Sequence, residues 1–260
     1  MKITFLGTSH GITEKDRFTS STLITIGEKN YLIDAGAPIM RLLQVYGADF
    51  KSLSDVFITH SHADHYMGLL EFTHQMESFM QFDGVNVTVH APELFPFAAM
   101  RKFLFGEGDL ASSSLGGNRR GTKDSKQRID CVNYSEGEIF NDGIIKVSAF
   151  KTMHYKDSHS LLIEAEGKKV LFTGDLRHDL LDFRWDATEG GVDLVVMEGA
   201  HQKLGTPEII EKLKGVPTKT MLINHIYSVF NPESEIQKLT SAAKERFEVI
   251  PTYDGFSFEI

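Results

Sequence analysis

Four potential metal ligands fall within six residues in Thr59-His60-Ser61-His62-Ala63-Asp64-His65. The stretch follows Asp55-Val56-Phe57-Ile58, a short apolar run that reads as a buried strand. Side chains alternate along an extended chain, so His60 and His62 project to one side and can share a cation. The chain is then predicted to turn into a helix over residues 66–76, with Asp64 and His65 at its N-terminal edge. There the carboxylate is expected to meet free backbone N–H groups and the positive end of the helix dipole. Two adjacent ligand pairs aimed at one point suit two neighbouring cations better than one. A single histidine after a strand would be an ordinary loop residue, but H-x-H-x-D-H is far denser than a loop needs.

Other candidates share one local setting, in which a short apolar strand stops and a polar residue with a small neighbour follows. Residues 55–59 lead to His60, 169–172 to Asp175, and 221–223 to His225. The apolar run 193–197 ends in the same way at Glu198-Gly199-Ala200-His201. Strand ends gathered at one edge of a sheet would bring these distant residues together. His74 and His90 lie in ordinary secondary structure and read as structural or surface residues. His10 and His159 are weighed between a place near the pocket and the surface, and the residues alone leave that open.

The motif THSHADH and the ordered set of downstream ligands resemble the metallo-β-lactamase-fold hydrolases over nearly the whole chain. That resemblance implies an α+β fold, an αββα four-layer sandwich with two sheets face to face and metals at one edge. It also implies a ligand set: His60, His62 and His154 for a first metal, Asp64, His65 and His225 for a second, and Asp175 bridging the two. It points to zinc, although five imidazoles and two carboxylates would also accept manganese or iron. Two divalent cations about 3.5–4 Å apart bridge a hydroxide and lower its pKa toward neutral. They also polarise the attacked carbonyl or phosphoryl oxygen. Asp64 can both ligate and orient the hydroxide, so no protein nucleophile is required, and no Gly-x-Ser-x-Gly competes.

In the same family a strand ending in Asp-x-Gly, here Asp34-Ala35-Gly36, supports the site from behind, a role compatible with a simple turn or cap. The Glu198 segment resembles the one that ribonuclease Z-like phosphodiesterases place beside the second metal. Glu198 is expected to orient His201 or His225, or a leaving-group proton donor. Asp64, Glu198 and His201 are therefore the candidate catalytic residues.

At 260 residues and 41% hydrophobic content the chain can bury a substantial core. It shows no linker that would divide it. We expect one domain over residues 1–260, with a flexible basic insertion near 106–128. That insertion holds Arg119, Arg120, Lys123, Lys126 and Arg128; a solvated loop is favoured over a phosphate-binding one. No run of eighteen apolar residues suggests a membrane span. The N-terminus enters a strand at 2–6 without a signal peptide. The single cysteine, Cys131, fits a reducing, cytoplasmic setting.

Helices are expected at 39–46, at 92–105 and from Pro232, the second of them a packing helix or an apolar wall over the site. Strands are expected at 22–26 and 31–33 around a hairpin turn at 27–30, and at 85–90, 129–133, 139–140, 144–151, 160–164, 170–172 and 256–260.

Fold and metals do not name a substrate. The opening Phe5-Leu6-Gly7-Thr8 and the Glu198 segment resemble the phosphodiesterase branch, which points to a small or cyclic phosphodiester. A carboxylic-ester, lactone or thioester hydrolase on the same metals is the alternative. A tRNA 3′-processing endonuclease is less favoured, because that branch inserts a tRNA-gripping arm where only twenty residues separate His154 from Asp175 here. The net charge of −9 also disfavours nucleic acid as a partner. The expected partner is a small phosphorylated molecule, and a homodimer stays open.

Overall fold

The computed structural model describes residues 1–105, 128–230 and 232–260. Its first sheet draws on β1 (Lys2–Gly7), β2 (Ser21–Ile26), β3 (Lys29–Ile33), β4 (Leu53–Phe57), β5 (Val87–Ala91) and β6 (Ile129–Asn133). Its second holds β7 (Gly137–Asn141), β8 (Lys146–Lys151), β9 (His159–Ala165), β10 (Lys168–Phe172), β11 (Leu194–Glu198), β12 (Thr220–Asn224) and β13 (Glu248–Pro251). The last strand, β14 (Ser257–Glu259), returns to the first sheet beside β1. The orders are β14-β1-β2-β3-β4-β5-β6 and β13-β12-β11-β10-β9-β8-β7. The helices are α1 (Ile39–Val45), α2 (Ala63–Tyr66), α3 (Gly68–Ser78), α4 (Phe95–Phe105), α5 (Pro207–Lys214) and α6 (Pro232–Ala243).

The strand sequences dictate the layering. Along β3, Tyr31 and Ile33 face the space between the sheets, while Leu32 packs outward with α1 and α3 residues such as Leu42, Leu69 and Phe72. Along β11, Leu194 and Val196 face inward, and Val195 and Met197 pack against Ile209 and Leu213 of α5 and Leu239 of α6. Period-two alternation with both faces apolar demands cover on both sides, which gives helix, sheet, sheet, helix. This is the metallo-β-lactamase αββα fold.

Parallel pairing fixes where the site lies. The neighbours β3-β4-β5-β6 are parallel, and so are β10-β11-β12-β13. Parallel strands bring their carboxyl ends to one rim, the usual ligand-binding edge of such sheets. The expectation of a single sheet edge is corrected: β4 comes from one sheet, and β10, β11 and β12 from the other.

Several boundaries also differ from expectation. The helix expected over 66–76 is two helices, α2 and α3, broken at Met67–Gly68, where the Gly68 N–H bonds the carbonyl of Ala35 at 2.8 Å. Lys29 and Asn30 belong to β3 rather than to the hairpin turn, since Asn30 pairs with Thr25. The helix expected from residue 92 starts at Phe95. His90 is structural, stacked on Phe57 at 4.7 Å and bonded to Asp55 at 2.8 Å. The basic insertion lies outside the described residues except for Arg128, which pairs with Asp83 and donates to the carbonyl of Phe79 at 3.1 Å. Among the described residues no helix is long and apolar enough to cross a membrane.

Candidate metal centre

After β4 the chain stays extended through His62 (φ −67°, ψ 149°), so His60 and His62 emerge on one side with ring centroids 4.6 Å apart. His154, from the turn between β8 and β9, brings Nε2 to 3.2 Å from His62 Nδ1 and 3.6 Å from Asp175 Oδ2. His60 Nε2 lies 3.8 Å from the same carboxylate oxygen. His60, His62, His154 and Asp175 thus offer donor atoms all within 4.8 Å of one another.

A second group stands beside the first. His65 Nε2 is 3.3 Å from Asp64 Oδ2, 3.4 Å from Asp175 Oδ1 and 3.1 Å from His225 Nε2. His225 Nε2 is 3.1 Å from Asp64 Oδ2. Asp175 therefore presents one oxygen to each group. All seven residues expected as ligands converge: His60, Asp175 and His225 from beyond the ends of β4, β10 and β12, His62 from the extended stretch before α2, Asp64 and His65 from α2, and His154 from the turn between β8 and β9. Asp64 stands in the first turn of α2, at the helix edge where it is expected, and its carboxylate also accepts from the backbone N–H of Gly11 at 2.9 Å.

Close backbone approach and unusual conformations hold these residues. A Cβ on Gly68 would lie 2.5 Å from the Ala35 carbonyl, and one on Gly36 would lie 2.5 Å from the Asp64 carbonyl. Only glycine lets the Asp-x-Gly turn and the α2–α3 break touch. Asp34 and His225 adopt φ +58° and +54°, a left-handed conformation that costs a non-glycine residue on the order of 1 kcal/mol. In return Asp34 bonds the Thr59 N–H at 2.7 Å and His65 Nδ1 at 2.7 Å. Ser61 and the buried Asp157 bond at 2.5 Å, tying the His60 segment to the turn that carries His154.

The electrostatics favour cations. Burial works to raise the pKa of Asp175, but the imidazoles of His225 and His65 outweigh it and hold the carboxyl well below its usual range. Asp64 is likewise held well below that range by His65 and His225 against the opposing effect of burial. His60 is kept neutral, its pKa pushed down by burial and by His65. Ionised carboxylates and neutral imidazoles are the forms that bind metal; His65, which burial pushes down but Asp175, Asp34 and Asp64 raise well above the usual range, would release a proton to an incoming cation. The atoms His60 Nε2, Asp175 Oδ1 and His225 Nδ1 are buried and make no hydrogen bond. Buried polar atoms rarely stay unpaired without a ligand, so the donor set fits divalent cations.

Glu198 and His201 lie against this centre. Glu198 is buried, accepts from the His201 N–H at 2.9 Å and from Gln202 Nε2 at 2.8 Å, and sits 3.3 Å from His201 Nδ1. His201 Nδ1 is also 3.8 Å from Asp175 Oδ2. Burial lowers the pKa of His201, but the bond to and charge of Glu198, with Asp175, raise it overall.

His10 is in the site, its ring 4.9 Å from those of His201 and His225. Burial, then the charges of His225 and His201, push its pKa down to about 4. Its sequence neighbourhood is an irregular turn with no strand end to flag it. His159 is neither at the surface nor in the cluster; it is buried, bonded to the Asp157 carbonyl at 2.9 Å and edge-on to Tyr134.

Fold and site together define a metallo-β-lactamase-fold protein with metal-binding His/Asp clusters. The chain belongs to the family described as Anti-Pycsar protein Apyc1, whose model matches residues 1–220. Among curated relatives, a ribonuclease Z from Bradyrhizobium sp. is 37% identical over 221 residues, 83% of this chain and 66% of that protein. A ribonuclease Z from Archaeoglobus fulgidus is 36% identical over 86 residues, 33% of this chain and only 28% of the relative's length. Similar solved structures include the metallo-β-lactamase fold protein YhfI from Bacillus subtilis (TM-score 0.72, 18% identity, 99% of each chain). The short form of human tRNase Z matches at TM-score 0.70 and 16% identity, covering 100% of this chain and 99% of that one. A diphosphatase of the PhnP family matches at 0.67 and 16%, covering 100% and 97%.

Proposed function

We propose that this chain is a dinuclear-metal-dependent hydrolase, most active on small or cyclic phosphodiesters. The observation that carries the reading is the pair of donor groups sharing Asp175, with the Glu198–His201 pair set against the same carboxylate. His60, His62, His154 and Asp175 would hold one cation, and Asp64, His65, His225 and Asp175 the other, with zinc favoured and manganese or iron acceptable donors' partners. When bound, the cations would supply an acidified water and Lewis-acid polarisation of a phosphoryl oxygen.

The chain's own residues do the rest. Asp64, held by the Gly11 N–H, orients the attacking water through its carboxylate. His201 carries a proton to the leaving oxygen, and Glu198 positions it and sustains its charge. Glu198 makes its two bonds to the protein and acts through His201, so it is a positioning residue in this reading.

The small-substrate preference rests on the segment between His154 and Asp175. Its residues are taken up by a tight turn and the β9–β10 hairpin, whose strands pair directly from Ala165–Lys168 to Leu161–Phe172. Ribonuclease Z relatives weaken the expectation that nucleic acid is excluded, so tRNA-precursor cleavage is the second reading. Family membership supports an anti-Pycsar role as the biological setting.

The deciding experiment is a parallel assay of bis-p-nitrophenyl phosphate, 2′,3′- and 3′,5′-cyclic nucleotides, a lactone, an acyl thioester and a tRNA precursor, with zinc or manganese and with Asp64→Ala as control. The small diesters should be cleaved fastest. Faster turnover of the lactone or thioester would overturn the substrate class, and faster tRNA-precursor cleavage would favour the second reading.

A further inference from the structure

His10 belongs to none of the strand-end residues, yet its turn is fastened on every side. Ser9 bridges Thr19 and Ile226, the Ile226 N–H bonds the Thr8 carbonyl at 2.8 Å, and the His10 N–H bonds the Ile226 carbonyl at 3.2 Å. The Thr8 hydroxyl donates to Asp254 at 2.6 Å, and Asp254 also accepts from the Phe18 N–H at 2.6 Å. On the other side Gly11 bonds Asp64 directly. The imidazole is thereby delivered among the rings of His201, His225 and Tyr227, at 4.9, 4.9 and 5.3 Å.

Packing alone does not account for this placement. Nδ1 of His10 is buried and makes no hydrogen bond, as is true of His60 Nε2, Asp175 Oδ1 and His225 Nδ1; the structural His90 also has an unpaired Nδ1, but unlike His10 it has no part in a metal-capable group among the described residues. A ring nitrogen of His10, a carboxylate oxygen of Asp64 and a ring nitrogen of His225 all lie within 4.8 Å of one another. An imidazole serving only as a wall would gain by bonding its ring nitrogen to protein, and a buried one left unpaired costs stability.

We propose that His10 is a further ligand of the second cation. This rests on the reading of Asp64, His65, His225 and Asp175 as a metal site. The two cations then differ: the first has His60, His62, His154 and Asp175, and the second has the same number of donors plus His10. A richer donor set would raise the affinity of the second position for a divalent cation relative to the same site without His10. His10 also joins the polar turn after β1 to the metal, so binding the second cation should tighten that turn.

The test is a competition titration of metal-stripped protein with Zn²⁺ and with Mn²⁺ against a chromophoric chelator, for the wild type, His10→Ala and His10→Asn. The wild type should take up two equivalents. In both variants the first equivalent should bind as before and the second at least ~10-fold more weakly. Added imidazole should restore the second equivalent in His10→Ala, which no merely structural role of His10 would allow. Thermal midpoints of the metal-free proteins show whether each variant is folded, and His10→Asn keeps a polar side chain in the turn if the alanine does not fold. Second-equivalent affinity unchanged in a folded variant would overturn the proposal, including when KM for a diester rises. A wild type that takes up only one equivalent would instead overturn the dinuclear reading on which the proposal stands.

Discussion

Nδ1 of His65 lies 2.7 Å from Oδ2 of Asp34, a residue held at φ +58° just beyond the end of β3. Bonded through Nδ1 to Asp34, His65 turns Nε2 toward Asp64, Asp175 and His225, the position from which it would hold a cation on losing its Nε2 proton. Replacing Asp34 by alanine should weaken the second cation by about 10–100-fold while the first is retained. Competition titration of stripped protein measures both steps, and equal affinities in variant and wild type would contradict this role for Asp34.

The Glu198–His201 pair sets a pH dependence. The folded pKa of His201 is raised, because Glu198 and Asp175 outweigh burial. The proton that the leaving group needs is therefore present at lower pH and lost as pH rises through that raised value. In stability terms the pair contributes fully below the ordinary histidine pKa of about 6.5 and loses its contribution through the folded pKa. Glu198→Gln should move the alkaline limb of the kcat profile to lower pH, and His201→Ala should cut kcat by roughly 10²–10⁴-fold. A pH–rate profile of Glu198→Gln that superimposes on the wild type would remove the pair from the mechanism.

Asp142 fastens the two sheets together. From the turn between β7 and β8 its carboxylate accepts from Tyr31 at 2.8 Å and Lys29 at 2.9 Å, both on β3, and from the N–H groups of Ile144 and Ile145. Burial acts against the charge, but the Ile145 N–H and Lys29 hold its pKa well below the carboxylate range. A depressed pKa gives stability that is present above the unfolded value of about 3.9 and lost as pH falls through the folded one. Asp142→Asn should therefore cost about 1–3 kcal/mol at neutral pH, with the gap narrowing in acid. Denaturant titrations at pH 7 and pH 3 measure it; a constant gap would argue against the charged bonds.

Much of this site is legible because its chemistry is local. His60, His62, Asp64 and His65 lie in one short motif, and Asp175, Glu198 and His225 each follow an apolar strand that the sequence displays openly. His10 is not legible in that way, since the contacts that aim it come from Ile226 and Asp254, more than two hundred residues away. The break at Met67–Gly68 is hidden too, because apolar spacing runs on through Tyr66, Leu69 and Phe72 while the carbonyl of Ala35 decides where the helix restarts. Helix α5 and strand β13 lie outside the expected elements; β13 has only four residues, one of them Pro251, too short for a pattern to register.

The most direct test of a shared two-cation centre couples metal content to turnover. Protein stripped by chelator is titrated with Zn²⁺, bound metal is counted per chain, and hydrolysis of bis-p-nitrophenyl phosphate is recorded at each point. Activity should be absent from the stripped protein and reach its maximum only as bound metal approaches two per chain. Asp175→Ala, which removes the carboxylate common to both donor groups, should abolish that rise. Full activity in stripped protein, or a maximum reached at one bound cation, would contradict the two-cation mechanism.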